Sequence, residues 1–229
     1  MPWIDTARIV DVSHWQPFQS LDWKVAQGVG VCAALVKYSQ GNSGVDPAAA
    51  GHIARAYAAG IPLHGGYHFG DGSPGEAQAR HFLDLCHQHW QGDLGGLMLM
   101  LDAERNSNSQ MSVEIAEAFV ATIHSYVGRW PWVYMGRDGP TGDGDGLPSA
   151  ILANCPLLLP KYGPPPDQAH LPAGFRFPAD ATETAGVLRG WQFTDGGING
   201  GPIAGMGRVD QSRFIGVSSL DEARAIWAV

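Results

Sequence analysis

The sequence predicts an α/β protein built as one parallel barrel, regular in its first half and irregular in its second. Three observations carry this. A chain of 229 residues is long for an ordinary domain and normal for a single α/β barrel. Short apolar runs alternate with helical patterns up to about residue 135, the order expected of parallel βαβ units. Several of those runs also end abruptly in acidic or aromatic residues, at the place where a parallel barrel carries its function.

Taken in order, residues 8–12 form a short run that leads into Asp11-Val12-Ser13-His14. Residues 31–38 (VCAALVKY) are mostly apolar, as a strand buried on both faces should be. A helix is expected over 47–59, stopped by Gly60. Residues 61–69 return as a strand whose Gly65-Gly66 would admit a close backbone neighbour. The next helix is expected to start with Ser73 as cap and Pro74 in the first helical position, and to run to Trp90. Residues 97–101 (LMLML) form a wholly apolar strand, followed by Asp102-Ala103-Glu104. A third long helix spans 112–127 behind a Ser112 cap, and 131–135 is the next strand. Beyond Gly136 only strand-like fragments remain (156–162, 191–193, 208–210), joined by Gly/Pro loops, before a last helix at 220–227. No internal repeat or linker divides the chain, so residues 1–229 read as one domain with no separate wall-binding module.

Composition narrows the function. With 22 acidic residues against 14 Lys and Arg, the formal net charge of −8 disfavours nucleic acid and anionic membrane as partners. The charge is read as a source of solubility. The three cysteines (Cys32, Cys86, Cys155) have no metal-ligand or disulfide spacing, and two sit in apolar runs as small hydrophobes. The N-terminus lacks the basic and apolar regions of a secretory signal, and no apolar stretch approaches the roughly 20 residues that span a bilayer. Synthesis in a cytoplasm is the expectation.

The chemistry concentrates at the predicted strand ends: Asp11 on the first, Tyr67-His68-Phe69 on the third, Asp102 and Glu104 on the fourth, and Asp210 on a late one. Two residues apart on a strand, Asp102 and Glu104 leave the same face, with Cα atoms roughly 6 to 7 Å apart. Two carboxyl groups at such a separation can divide labour across a glycosidic bond, one as general acid and one ionised. Taken alone, a strand-end carboxylate is usually a solvated rim charge. A pair that follows five apolar residues, with further carboxylates ending neighbouring strands, favours function. His64 and His68 with Asp102 offer a competing metal-dependent hydrolase, and a glycan-binding barrel without turnover is another alternative. No GxSxG elbow or phosphate-binding glycine loop is present.

These residues fall within a set of motifs that resembles glycoside hydrolase family 25, the Chalaropsis-type lysozymes. The matching stretches are Asp11-Val12-Ser13-His14-Trp15-Gln16; Val36-Lys37-Tyr38-Ser39-Gln40-Gly41 with Asp46-Pro47; Gly66-Tyr67-His68-Phe69; Leu101-Asp102-Ala103-Glu104; and Trp191-Gln192-Phe193 before Val209-Asp210-Gln211-Ser212-Arg213-Phe214. The resemblance implies a distorted TIM-like (β/α)5β3 barrel. It also implies hydrolysis, with retention, of the β-1,4 bond between N-acetylmuramic acid and N-acetylglucosamine in the peptidoglycan glycan strand. Carried onto this chain, it makes Glu104 the general acid/base and Asp102 its partner, by direct attack or by orienting the substrate's acetamido group. Asp11 and Asp210 match the two other acidic positions. Tyr67, Tyr134, Tyr162 and Trp191 become candidates for stacking on sugar faces. No cofactor or metal is implied, and the working unit is expected to be a monomer.

The chain departs from the family pattern at Gln40, where the motif usually carries Glu. One carboxylate fewer should lower its neighbours' pKa values and shift the pH optimum downward or alter substrate preference. The acidic, Gly-rich segment 136–146 reads as a surface loop that could border the groove. A wall-degrading enzyme without a signal peptide resembles a bacteriophage endolysin, released through a holin-made hole or by lysis.

Overall fold

The computed structural model describes residues 7–90, 93–104, 109–135, 149–160, 162, 188–196 and 201–228. The segment 136–146 therefore lies outside the described residues. In chain order the elements are β1 (Arg8–Val12), α1 (Trp23–Gly28), β2 (Val31–Gln40), β3 (Gly44–Val45), α2 (Ala49–Ala59), β4 (Leu63–Phe69), α3 (Gly75–His89), β5 (Met98–Asp102), α4 (Val113–Val127), β6 (Trp132–Tyr134), β7 (Leu157–Pro160), β8 (Leu188–Thr194), β9 (Asp210–Phe214) and α5 (Leu220–Trp227). Neither α1 nor β3 was legible in the sequence. Six residues are too few for a periodic pattern, and two cannot show alternation.

Eight strands close into a barrel in the order β1, β2, β4, β5, β6, β7, β8, β9, and β9 returns to β1. β3 hangs from the edge of β2 as an antiparallel pair. All barrel pairings are parallel except the two made by β9, which runs antiparallel to both β8 and β1. This is the α/β, TIM-like distorted barrel that the sequence predicts.

Each barrel strand buries both faces, because the barrel interior takes one set of alternate residues and the helix layer the other. Inside lie Ile9, Ala33, Leu35, Leu63, Met98, Met100, Trp132, Leu158 and Phe214. Outside, Val10, Val12, Ala34, Val36, Tyr38, Leu99 and Leu101 meet the helices through Phe82, Phe119, Val120 and Ile123. Gly65 faces inward, where a Cβ would come 2.9 Å from Leu35 Cδ1 and 3.1 Å from Met98 Cβ. On the other face, a Cβ on Gly66 would meet the Tyr38 ring at 2.7 Å. The close neighbours of this glycine pair are thus side chains rather than a backbone. At the N-terminal end of the strands, Trp227 of α5 packs on Trp132 and Phe214 and donates from Nε1 to the His64 carbonyl at 2.6 Å.

The helix ends show why these segments stop where they do. Ser112 accepts from the Ile115 N–H and Ser219 from the Glu222 N–H, each satisfying a donor that the first turn leaves free. Gly60 and Gly128 end α2 and α4 at φ 77° and 76°. The start of α3 differs from the sequence expectation. Pro74 occupies the flanking position, the helix begins at Gly75, and Ser73 turns its hydroxyl to Asp71. Gln78, one turn in, ties the entry down: its amide donates to the carbonyls of Ser73 (2.6 Å) and Asp71 (3.0 Å).

Candidate active site

The C-terminal mouth of the barrel opens into a groove of about 540 Å³ whose lining includes Asp11, Asp102, Glu104 and Asp210. β1 delivers Asp11 and β5 delivers Asp102 as inward residues near their C-terminal ends. Glu104 lies two residues past the end of β5, and its backbone N–H donates to Asp102 Oδ1 at 3.2 Å. Asp210 reaches the same mouth by a different route. The sequence pattern places it at the end of a strand, whereas it begins β9, whose reversed direction brings its first residue level with Asp11 in register.

All four carboxyl groups are held above the ordinary carboxylate range, and burial is the first cause in each case. For Asp11 the charge and hydrogen bond of Asp210 add to burial. For Asp102 it is the charge of Glu104, opposed by the Glu104 N–H and by Lys37. Glu104 is pushed further up by Asp210 and drawn down by Lys37. In a site this crowded with like charge, at least one carboxyl keeps a proton to donate.

Tyrosines and glutamines frame the acids. Tyr134 and Tyr162 donate from their hydroxyls to Gln192 Oε1 at 2.9 and 3.3 Å. Gln192 Nε2 in turn donates to Asp11 Oδ2 at 3.2 Å. Tyr67 and Tyr134 are raised well above the usual phenol range, chiefly by burial, and Tyr162 is pushed up to about 12, so all three remain donors at neutral pH. Gln40 lines the groove, and its Oε1 accepts from Lys37 Nζ at 2.9 Å. Lys37 folds over the Phe69 ring, 4.7 Å from its centroid.

Trp191 does not belong with the others. Gly190 and Gln192 take the inward positions of β8, so Trp191 faces the helix layer, only 3% exposed and edge-on to Phe193. It supports the barrel from outside and is not among the groove residues. Among the further residues that line the groove, Trp15, Gln16, Lys37 and Gln192 carry polar or aromatic side chains with no individual role assigned from the sequence. Each sits inside a motif already noted, but nothing local marks which members of a motif face inward.

The metal-dependent alternative is not assembled. His64 and His68 point to the outer face of β4 while Asp102 points inward. His64 packs between Tyr57 and Trp90. His68 is buried with Nδ1 on Ser39 Oγ at 2.7 Å and Nε2 on Gln78 Oε1 at 3.0 Å, so both ring nitrogens are engaged. Cys32, Cys86 and Cys155 are buried free thiols. Among the described residues, no helix is long and apolar enough to cross a membrane.

The model of glycosyl hydrolases family 25 matches residues 10–201. Among solved structures, the chain is similar to a muramidase from Trichobolus zukalii, with 27% identity and a TM-score of 0.67 over 97% of this chain and 99% of that one. A bacterial lysozyme from Streptomyces coelicolor aligns at 24% identity and TM-score 0.68, covering 97% of each chain. The catalytic domain of an endolysin from a Listeria monocytogenes bacteriophage shares the fold at 19% identity and TM-score 0.67, covering 98% of each. No curated protein matches the sequence significantly.

Proposed function

The chain belongs to glycosyl hydrolases family 25 and is a muramidase that hydrolyses peptidoglycan, and on that premise we propose that Glu104 and Asp102 cut the β-1,4 bond between N-acetylmuramic acid and N-acetylglucosamine with retention. The observation that carries the assignment is the convergence of four carboxyl groups on one groove, each raised above the ordinary carboxylate range chiefly by burial.

Glu104 protonates the glycosidic oxygen as the bond breaks. It is the more exposed of the pair, so it can reach a leaving group and later take a proton from water. Asp102 faces the positive charge that develops at the anomeric carbon, by attack or by steering the acetamido oxygen. The Glu104 N–H and the Lys37 charge both favour its ionised form. Asp11 and Asp210 line the opposite wall, and the charge of Asp210 helps to keep the proton on Glu104. Tyr67, Tyr134 and Tyr162 supply the sugar contacts, through ring faces and hydroxyls. The four carboxyl groups and three tyrosines are all supplied by the one chain, in keeping with a monomer acting on the wall, and release during lysis, as for an endolysin, fits this activity.

The test is release of reducing ends from purified peptidoglycan, comparing the protein with Glu104→Gln and identifying products by mass spectrometry. Fragments ending in reducing muramic acid should appear with the native protein. They should fall by a factor of about 10² to 10⁴ in the variant, the usual contribution of a general acid. Equal release by Glu104→Gln would assign the acid elsewhere.

A further inference from the structure

The turn that follows β1 is braced from every side, yet it leaves one large aromatic side chain in solvent. The Ser13 N–H donates to Gln16 Oε1 at 3.0 Å, and the Gln16 N–H returns to the Ser13 carbonyl at 3.0 Å. The Trp15 N–H donates to Ser13 Oγ at 3.3 Å. His52, buried under the turn, meets the Ser13 carbonyl through Nε2 at 3.2 Å. Asp46 holds His14 twice, accepting its backbone N–H at 3.0 Å and its Nδ1 at 2.9 Å on the same oxygen. The other Asp46 oxygen accepts the Ala48 N–H at 2.9 Å, at the entry to α2. The imidazole so fixed lies against the Trp15 indole, with ring centroids 4.7 Å apart at 36°.

Trp15 itself is 78% exposed and lines the same groove as the carboxyl groups. A tryptophan usually gains stability by burial, and several loop residues here are ordered around one that gains little. Rigid presentation of an amphipathic ring beside a polar groove is what a binding platform needs, because the cost of ordering it is met before the ligand arrives.

We propose that Trp15 is a sugar platform, stacking its indole on the CH face of a glycan-strand pyranose that lies beyond the two sugars flanking the scissile bond, with Asp46 and His14 as positioning residues. Continuity with the groove identifies the occupant. Trp15 lies four residues past Asp11, so a strand threaded over the carboxyl groups and out along the β1 wall runs across the indole. Its hydroxyl edges meet the polar side chains of Gln16 and Gln40, which line the same stretch. A pyranose, apolar on its CH face and polar at its edges, suits an indole that stands beside a polar groove. The inference rests on the muramidase reading of the groove and extends it to a subsite that helps hold long strands.

The test uses the Glu104→Gln protein, so that ligand is not consumed. Peptide-free glycan strands, fractionated by length, are titrated by calorimetry into that protein, alone and with Trp15→Ala, Trp15→Phe or Asp46→Asn added. Trp15→Ala should weaken binding of long strands by roughly threefold to tenfold, and a disaccharide hardly at all. Trp15→Phe should recover most of the loss. Asp46→Asn should fall between, with the indole emission change on binding reduced. Thermal melting should be unmoved by Trp15→Ala, since an exposed ring adds little to the fold. Equal affinity of long strands for the Trp15→Ala protein overturns the platform. Failure of any strand to bind, even with Trp15 present, overturns both this proposal and the muramidase assignment of the groove. Binding that depends on Trp15 in a native protein that releases no reducing ends would overturn only the catalytic assignment.

Discussion

Asp11 and Asp210 stand opposite each other across the antiparallel pairing of β1 and β9, two half-buried carboxyl groups whose closeness raises Asp11 above the ordinary carboxylate range. Gln192 donates to Asp11 from the side, and two tyrosine hydroxyls hold Gln192 in turn. The pair is therefore a fixed source of negative charge across the groove from the acid.

Removing part of that charge should move the acid. Asp210 is the first charged neighbour that raises Glu104. In Asp210→Asn the Glu104 proton is lost at lower pH, so the alkaline limb of kcat/KM against pH should shift downward. An unmoved alkaline limb would show that Asp210 does not reach Glu104 electrostatically.

Lys37 acts in the opposite sense. It is the one Lys or Arg among the described residues that line the groove, and it draws down both Asp102 and Glu104. Lys37→Met should shift both limbs of the profile upward, and Lys37→Arg should restore them. Gln40→Glu would set a carboxylate against Lys37 Nζ, now 2.9 Å from the amide oxygen, and should also move the profile upward by offsetting the lysine. Identical profiles for Gln40→Glu and the native protein would remove the role given to this position.

Burying Asp11 at the active site should cost stability. Its folded pKa lies above its unfolded one, so the stability it contributes is whole in acid, below the ordinary Asp range. That contribution is lost as pH rises through the raised value. Asp11→Asn should thus melt higher than the native protein at neutral pH by a few degrees, the shift that about 1 kcal/mol gives a domain of this size. The gap should close in acid. Melting curves at pH 4 and pH 8 check the sign.

Gly75, the first residue of α3, has no room for a methyl group. A Cβ there would press on the Ile115 carbonyl and come 2.9 Å from the Phe119 nitrogen, both backbone atoms of α4. Gly75→Ala should destabilise the fold by about 1–3 kcal/mol despite its better helix propensity. Denaturant titration would detect it.

Much of this was local and therefore legible. The apolar run at 97–101 announces a strand with both faces buried, and Asp102 marks where it meets the mouth. Ser112 and Gly128 bracket α4 by cap chemistry that depends only on neighbouring residues. The motifs at Asp11, Lys37, Asp102 and Asp210 mark the strand ends that meet in one groove.

Direction and facing were not local. Asp210 stands first in its strand rather than last, because only the pairing with β1 and β8 reveals that β9 runs backwards. Trp191 turns outward and Gln192 inward, and in a strand buried on both sides hydrophobicity does not distinguish the two. His64 and His68 share a face, as their spacing requires, but closure of the barrel decides that this face meets the helices. Local sequence revealed most of the strands and helices, α1 and β3 excepted, and which side chains have chemistry to offer, since both depend on neighbours along the chain. Which of those side chains share a cavity was decided by barrel closure and strand direction, because these arise from pairings between segments far apart in sequence.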